Sequence, residues 1–217
     1  FRVNHHLSHA AYTIASSGYN ECAVVVVDGH GEKFSTSIGR FQNNLIQFSE
    51  QKDVSQSLGH FMEAISVHMG FGRNGVGKVM GLAGYGKPTY KIDTINLDNN
   101  DYEIKLKISN ANDSRESYRK IIAMWKMVLT GICPPNQAIM DTNLIHPNST
   151  LFNPLSDTYK NLASTAQYYI TECVLNLCKK ALKYANSKNL ILSGGVALNC
   201  STNGAILRSG IAESIHV

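Results

Sequence analysis

The sequence predicts an α/β fold, and three stretches carry that expectation. Residues 22–28 (CAVVVVD) form a continuous β-branched run, which suits a strand covered on both faces. Residues 157–186 repeat Leu162, Ala166, Tyr169, Cys173, Val174, Leu177, Ala181, Leu182 and Ala185 at three- and four-residue steps, the pattern of a long helix with one apolar face. Residues 189–209 read as a strand (189–192), a Ser193-Gly194-Gly195 turn and a helix (197–209), with a further strand opening at Ile215.

The remaining elements follow in chain order. Asn4 to about Ser17 reads as a helix. The run 22–28 ends in Asp28-Gly29-His30-Gly31-Glu32, a turn signal. Strands near 35–42 and 45–50 follow, with Asn43-Asn44 between them as a hairpin turn, so that three consecutive strands are antiparallel. Residues 57–69 are helical, with Leu58, Phe61, Met62, Ile65 and Met69 on one face. A glycine-dense loop spans 70–88. Residues 90–155 are rich in Asn, Asp, Ser and Pro and read as an insertion. It holds one strand (102–108), one helix (about 114–129) and a long loop at 131–154. The order β-β-β-α-β-α-β is that of one half of an actin-like, hexokinase-like ATPase (ribonuclease H-like) fold. In that fold two such halves face each other across a nucleotide cleft, and the first half would lie before Phe1.

Composition narrows the function. With 43% hydrophobic and 17% charged residues the chain can bury a core. The net charge of +4 is not gathered into a basic run, so no nucleic-acid surface is expected, although a slight basic excess suits an anionic small ligand. The five cysteines form no CxxC pair, which reads as reduced, buried thiols in a cytoplasmic protein. No apolar run is long enough to span a membrane. The chain starts at Phe1 without Met and stops at what reads as a strand, so both ends are expected to be internal to something longer.

Four stretches can carry chemistry. His5 and His9 lie four apart on a helix, so both imidazoles point the same way, about 6 Å apart at Cβ. That is how a helix offers two nitrogens to one metal, with a carboxylate as the usual third ligand, while His6 points elsewhere. In Asp28-Gly29-His30-Gly31-Glu32, glycines let backbone amides approach a phosphate. Asp28 can orient a cation or water, and Glu32 can fix the loop or a hydroxyl. After Gly194 and Gly195, a helix start offers amides to an anion, with Asn199 in the first turn. The segment Gly77–Pro88 puts Lys78 and Lys87 among four glycines, where a lysine can neutralise phosphate charge; it is not a Walker A loop.

Taken together, NHHLSHAA (4–11), VVDGHGE (26–32), SLGHFMEAISVHMGF (57–71), KVMGLAGYGKP (78–88) and LSGGVALNCSTNG (192–204) resemble the O-carbamoyltransferases of the nodulation protein U type. The resemblance is weakest over 90–155. It implies an actin-like fold related to the enzymes that transfer threonylcarbamoyl to tRNA. It also implies a YrdC-like domain elsewhere in the full-length enzyme, which makes carbamoyl-adenylate from carbamoyl phosphate and ATP. The actin-like domain then passes the carbamoyl group to a hydroxyl of a small-molecule acceptor in a biosynthetic pathway.

By motif, His5 and His9 would bind iron or a similar divalent metal. Asp28, Gly29, Gly31 and Glu32 would form the first phosphate-side loop, and Gly194, Gly195 and Asn199 would hold the adenylate. Lys78 would be a lesser anion contact. The third metal ligand, an Asp after the last helix, would fall beyond Val217. The chain would then be a fragment, 1–217. Its parts would be a metal-site helix (1–20), an α/β core (21–89 and 156–217) and an insertion (90–155). Such a fragment would be inactive alone, with an apolar wall exposed or covered by a second copy. Two other readings compete. One is a tRNA threonylcarbamoyl-transferring relative, against which DGHGE stands where Ser-Gly-Gly is usual. The other is a non-catalytic nucleotide- or metal-binding module.

Overall fold

The computed structural model describes residues 3–98, 101–108, 113–136 and 156–217. The expected loop at 131–154 lies outside the described residues from 137 onward. The chain divides into two compact units, Phe1–Gly59 with Ile95–Lys105 and Ile170–Val217, and His60–Thr94 with Leu106–Tyr169. The expected inserted segment 90–155 is thus shared between them.

The first unit is built on a five-stranded mixed sheet, which makes the chain an α/β protein as the sequence predicts. Strands β1 (Cys22–Gly31), β2 (Phe34–Gln42) and β3 (Leu45–Asp53) are followed late in the chain by β6 (Asn189–Ser193) and β7 (Ser214–His216), in the order β3-β2-β1-β6-β7. The first three strands are antiparallel, and β6 and β7 join β1 in parallel. The Asn43-Asn44 turn has both residues in left-handed backbone, φ 53 and 60, which suits the two-residue hairpin that asparagine favours. The central strand explains its own composition: Cys22 to Val27 are all 0–1% exposed, because both faces are covered.

Helix α1 (His5–Ser17) lies on one face of this sheet, where Ala10 and Ile14 pack with Cys22, Val24, Val26 and Ile191. Asn4 caps it by accepting the Leu7 amide, and Gly18 ends it in left-handed backbone. On the opposite face runs the second half of helix α5 (Asp157–Ala185). Its Tyr184 ring lies 5.4 Å from the Arg40 guanidinium and its Lys180 ammonium 2.6 Å from Glu50.

The hairpin of β4 (Ile95–Asp98) and β5 (Asp101–Ile104) belongs to the same unit. The sequence predicts a single strand at 102–108; the partner strand β4 does alternate, Ile95-Asn96-Leu97-Asp98, but over only four residues. Asn176 donates to the Asp98 carbonyl at 2.6 Å, Lys180 to Asp101 at 2.8 Å, and the buried Tyr102 hydroxyl to the Gln56 carbonyl at 2.8 Å.

The second unit is helical. It contains α2 (Leu58–His68) from His60 onward, α3 (Val76–Ala83), α4 (Ser114–Ile132) and the first half of α5. Phe61 and Trp125, both fully buried, meet with ring centres 4.7 Å apart. Backbone amides of Lys87, Tyr90 and Ile92 are bound by Asn161, Thr165 and Tyr169 along α5. The glycine-dense stretch expected as a loop contains α3, because Val76, Val79, Leu82 and Ala83 share a helical face and outweigh the glycines between them.

All five cysteines are free, four of them buried, and burial pushes the Cys22 thiol up to about 11 and Cys178 to about 12. No described helix is long and apolar enough to cross a membrane.

Leu177, fully buried on α5, tests the core. Leu177→Ala is expected to cost about 2–5 kcal/mol in urea denaturation without changing the m-value. A cost below about 1 kcal/mol would mean that α5 does not carry the core.

Candidate functional site

The site forms where the start of α1 meets the end of β1. A thirteen-residue helix rises about 20 Å, and six residues of strand cover about the same length. The chain turns back tightly at Gly18 to Glu21, so α1 lies antiparallel to β1 and its first turn reaches Asp28. His5 and His9, on one helix face as the spacing predicts, point at that carboxylate. His5 Nε2 is 2.8 Å and His9 Nε2 3.4 Å from Asp28 Oδ2, and the two Nε2 atoms are 3.1 Å apart.

This arrangement suits a cation. Each neutral imidazole carries one ring proton. Protons on both Nε2 atoms would oppose each other, and a single proton cannot serve all three short contacts. Atoms about 2.1 Å from one metal stand about 3.0–3.4 Å apart when their directions are right-angled to tetrahedral; two of the distances here, 3.1 and 3.4 Å, fall in that range and the third, 2.8 Å, lies just below it. His5, His9 and Asp28 are the group of potential ligands found among the described residues. The side chains are 43%, 34% and 19% exposed, so the remaining directions open to solvent.

Asp28 is held from behind. Its Oδ1 accepts the Gly29 amide at 2.7 Å and the Gly195 amide at 3.3 Å, which leaves Oδ2 for the imidazoles. Burial works against its charge, but the His5 hydrogen bond, the two amides and nearby His9 outweigh it and hold the carboxyl below the usual range. His9 is anchored through its backbone. Its carbonyl accepts the hydroxyls of Thr13 (3.0 Å) and Ser193 (3.2 Å), which lie 2.7 Å from each other.

The expected phosphate-side residues are placed unequally. β1 continues through Gly31, with an irregular register between Val27 and Gly31, so the stretch expected as a turn is mostly strand. Asp28 turns to the histidines. Gly29 donates to Asp28 and has Gly59 packed on its backbone. Gly31 lies against the His5 and His6 rings. Glu32, at φ 57, occupies the exposed β1–β2 turn.

Gly194 and Gly195 follow β6 and lead into a 3-10 turn (Gly195–Leu198), so helix α6 (Cys200–Ser209) starts three residues later than expected. Asn199 is its cap, accepting the Thr202 amide at 3.0 Å. Lys78 belongs to the second unit, exposed on α3, with its ammonium 5.9 Å from the Phe71 ring.

Sequence reasoning singled out Asp28 as a loop residue that can orient a cation and missed it as the carboxylate of the histidine pair. The available signal was the tight α1–β1 reversal. His6, set aside on spacing, is 1% exposed; burial pushes it down to about 4, with His5 and His9 acting in the same direction against Asp28.

The two turn glycines are separable. A Cβ on Gly194, at φ 94, would stand 2.4 Å from the Val27 carbonyl oxygen, whereas one on Gly195 would meet Asp28 Oδ1 at 3.0 Å. Gly194→Ala is therefore expected to cost about 1–3 kcal/mol in denaturant unfolding. Gly195→Ala should cost less and act on the Asp28 carboxylate. Equal losses would show that both glycines serve the backbone alone.

Comparison with known proteins agrees with the motifs. The family model described as "Carbamoyltransferase N-terminus" matches residues 1–217. An uncharacterized Synechocystis protein, sll1178, is 34% identical over 98% of this chain and 33% of its own length. Nodulation protein NolNO of Sinorhizobium fredii is 28% identical over 99% of this chain and 28% of its own. Nodulation protein NolO of Bradyrhizobium diazoefficiens is 25% identical over 99% of this chain and 35% of its own. The chain thus spans about a third of the length of these relatives. With its whole length matched and its five motifs in order, this chain belongs to the carbamoyltransferase N-terminus family.

Proposed function

We propose that the chain is the metal- and nucleotide-binding part of an O-carbamoyltransferase, which passes a carbamoyl group from carbamoyl-adenylate to a hydroxyl of a small-molecule acceptor. The observation that carries this reading is the convergence of His5, His9 and Asp28 at mutual distances suited to one divalent metal, in a chain of this family. The strand order β3-β2-β1-β6-β7, three antiparallel strands followed by two parallel ones, supports the further proposal that the sheet is half of an actin-like ATPase fold.

In this reading His5 and His9 give one nitrogen each and Asp28 one oxygen, a ligand set suited to iron and other divalent first-row metals. A bound metal would supply Lewis acidity for a carbonyl or an approaching hydroxyl. The protein's own part is orientation. The Gly29 and Gly195 amides aim Asp28, and the Thr13 and Ser193 hydroxyls hold the backbone of His9. The Gly195 amide is already engaged by Asp28 Oδ1, so the chain couples the metal carboxylate directly to the turn proposed for the nucleotide. A phosphate that drew the Gly195 amide would loosen that hold. Asn199 contributes by capping α6 and fixing the amides of its first turn, not by offering an unengaged carbonyl oxygen.

The test is divalent-metal titration of the 217-residue chain under anaerobic conditions, with elemental analysis after desalting. The wild-type chain should retain close to one equivalent of Fe(II) or Co(II). His5→Ala, His9→Ala and Asp28→Ala should each weaken binding at least about tenfold while leaving the far-UV circular dichroism spectrum intact. A folded wild-type chain that retains no divalent metal would overturn the reading.

A further inference from the structure

His6 sits between the two proposed ligands in sequence but is turned away from them. Its Nδ1 lies 2.7 Å from the Ser37 hydroxyl on β2, and Gln51 on β3 donates its side-chain amide to that hydroxyl at 2.9 Å. The Ser37 hydroxyl has no other acceptor among the described residues. Its proton therefore goes to His6 Nδ1, which fixes the imidazole with its own proton on Nε2. That Nε2 is buried, has no hydrogen-bond partner and faces Gly31. A Cβ on Gly31 would stand 2.5 Å from His6 Nε2 and 2.8 Å from His5 Cδ2, so the glycine leaves room for both rings at the end of β1.

These contacts make a clamp. The sheet grips the first turn of α1 through Ser37 on one side, while Gly31 backs the rings of His5 and His6 together. A second grip lies at the carbonyl of His9, through Thr13 and Ser193. His6 cannot itself be a ligand in this state. One nitrogen is engaged by Ser37, and the other carries a proton and is packed against backbone.

We propose that His6, with Ser37, is a positioning residue for the metal centre: it fixes the rotation of the first turn of α1 so that the His5 and His9 nitrogens already converge on Asp28 before a metal arrives. A helix turn left unclamped would have to be ordered at the moment of binding, and that cost would appear as lost affinity. The inference rests on the metal reading above, and it gives a role to the histidine that helix spacing points away from the site.

The experiment uses cobalt(II) alone as the probe, with affinity measured by competition against a chelating dye and the ligand field read from the visible absorption. His6→Leu keeps apolar volume and removes the acceptor. It should lower cobalt affinity about tenfold or more and broaden or shift the cobalt bands. His6→Asn, whose side-chain oxygen can stand near the Nδ1 position, should recover most of the affinity. Ile38→Val, a loss of packing on the opposite sheet face, should lower thermal stability and leave affinity and spectrum unchanged.

If His6→Leu does not fold, Ser37→Ala removes the hydroxyl alone and should show the same affinity loss. A folded His6→Leu or Ser37→Ala chain with wild-type affinity and spectrum would overturn the clamp while leaving the metal site standing. A loss equally large in Ile38→Val would reduce His6 to an ordinary core residue. Absence of cobalt binding by the wild-type chain would instead overturn the metal reading and this inference with it.

Discussion

Asp28 uses its two carboxylate oxygens in opposite directions, and the site depends on that division. Oδ1 accepts amides from its own strand end and from the turn after β6; Oδ2 faces two imidazoles from α1. The consecutive α1 and β1 and the distant turn after β6 are thereby tied at one point. A carboxylate half-buried without such partners would tend to protonate, so the glycine amides do more than shape a loop. They keep a negative charge where two histidines meet.

The rest of the first unit can be understood as the scaffold for that point. β1 must be apolar on both faces because α1 covers one and α5 approaches the other, and only its end is free to carry a polar group. The glycines at 31 and 194 serve close approach, one to histidine rings and one to the β1 backbone at Val27. Either contact would be lost with a Cβ in place, and with it the distance between α1, β1 and the β6 turn. Family membership gives this geometry its chemical context. The described residues themselves supply the donor set, its orientation and its partial exposure to solvent.

Residues proposed to meet a nucleotide divide according to how much of their bonding is already satisfied. Asn199 spends its side-chain oxygen on the Thr202 amide, and Glu32 stands in an exposed hairpin turn. Gly195 shares its amide with Asp28, which is where metal and nucleotide binding would influence each other. Lys78 lies in the second unit, on a helix where the glycine content suggested a loop.

Much of this was legible in the sequence because it rests on local periodicity. The β-branched run, the hairpin with its two asparagines, the long α5 and the four-residue spacing of His5 and His9 all report short-range geometry, and each appears in the structure. The short strand β4 and helix α3 were not legible: the alternation of β4 covers only four residues, and glycine content concealed an apolar helical face. What only the tertiary structure decided was pairing across distance. Spacing sets two imidazoles on one helix face, but which carboxylate they meet depends on how α1 folds back on β1. Likewise, no local pattern distinguishes His6 as a buried strut from His6 as a stray polar residue. That difference arises when β2 presents Ser37 to it and Gly31 makes room for its ring.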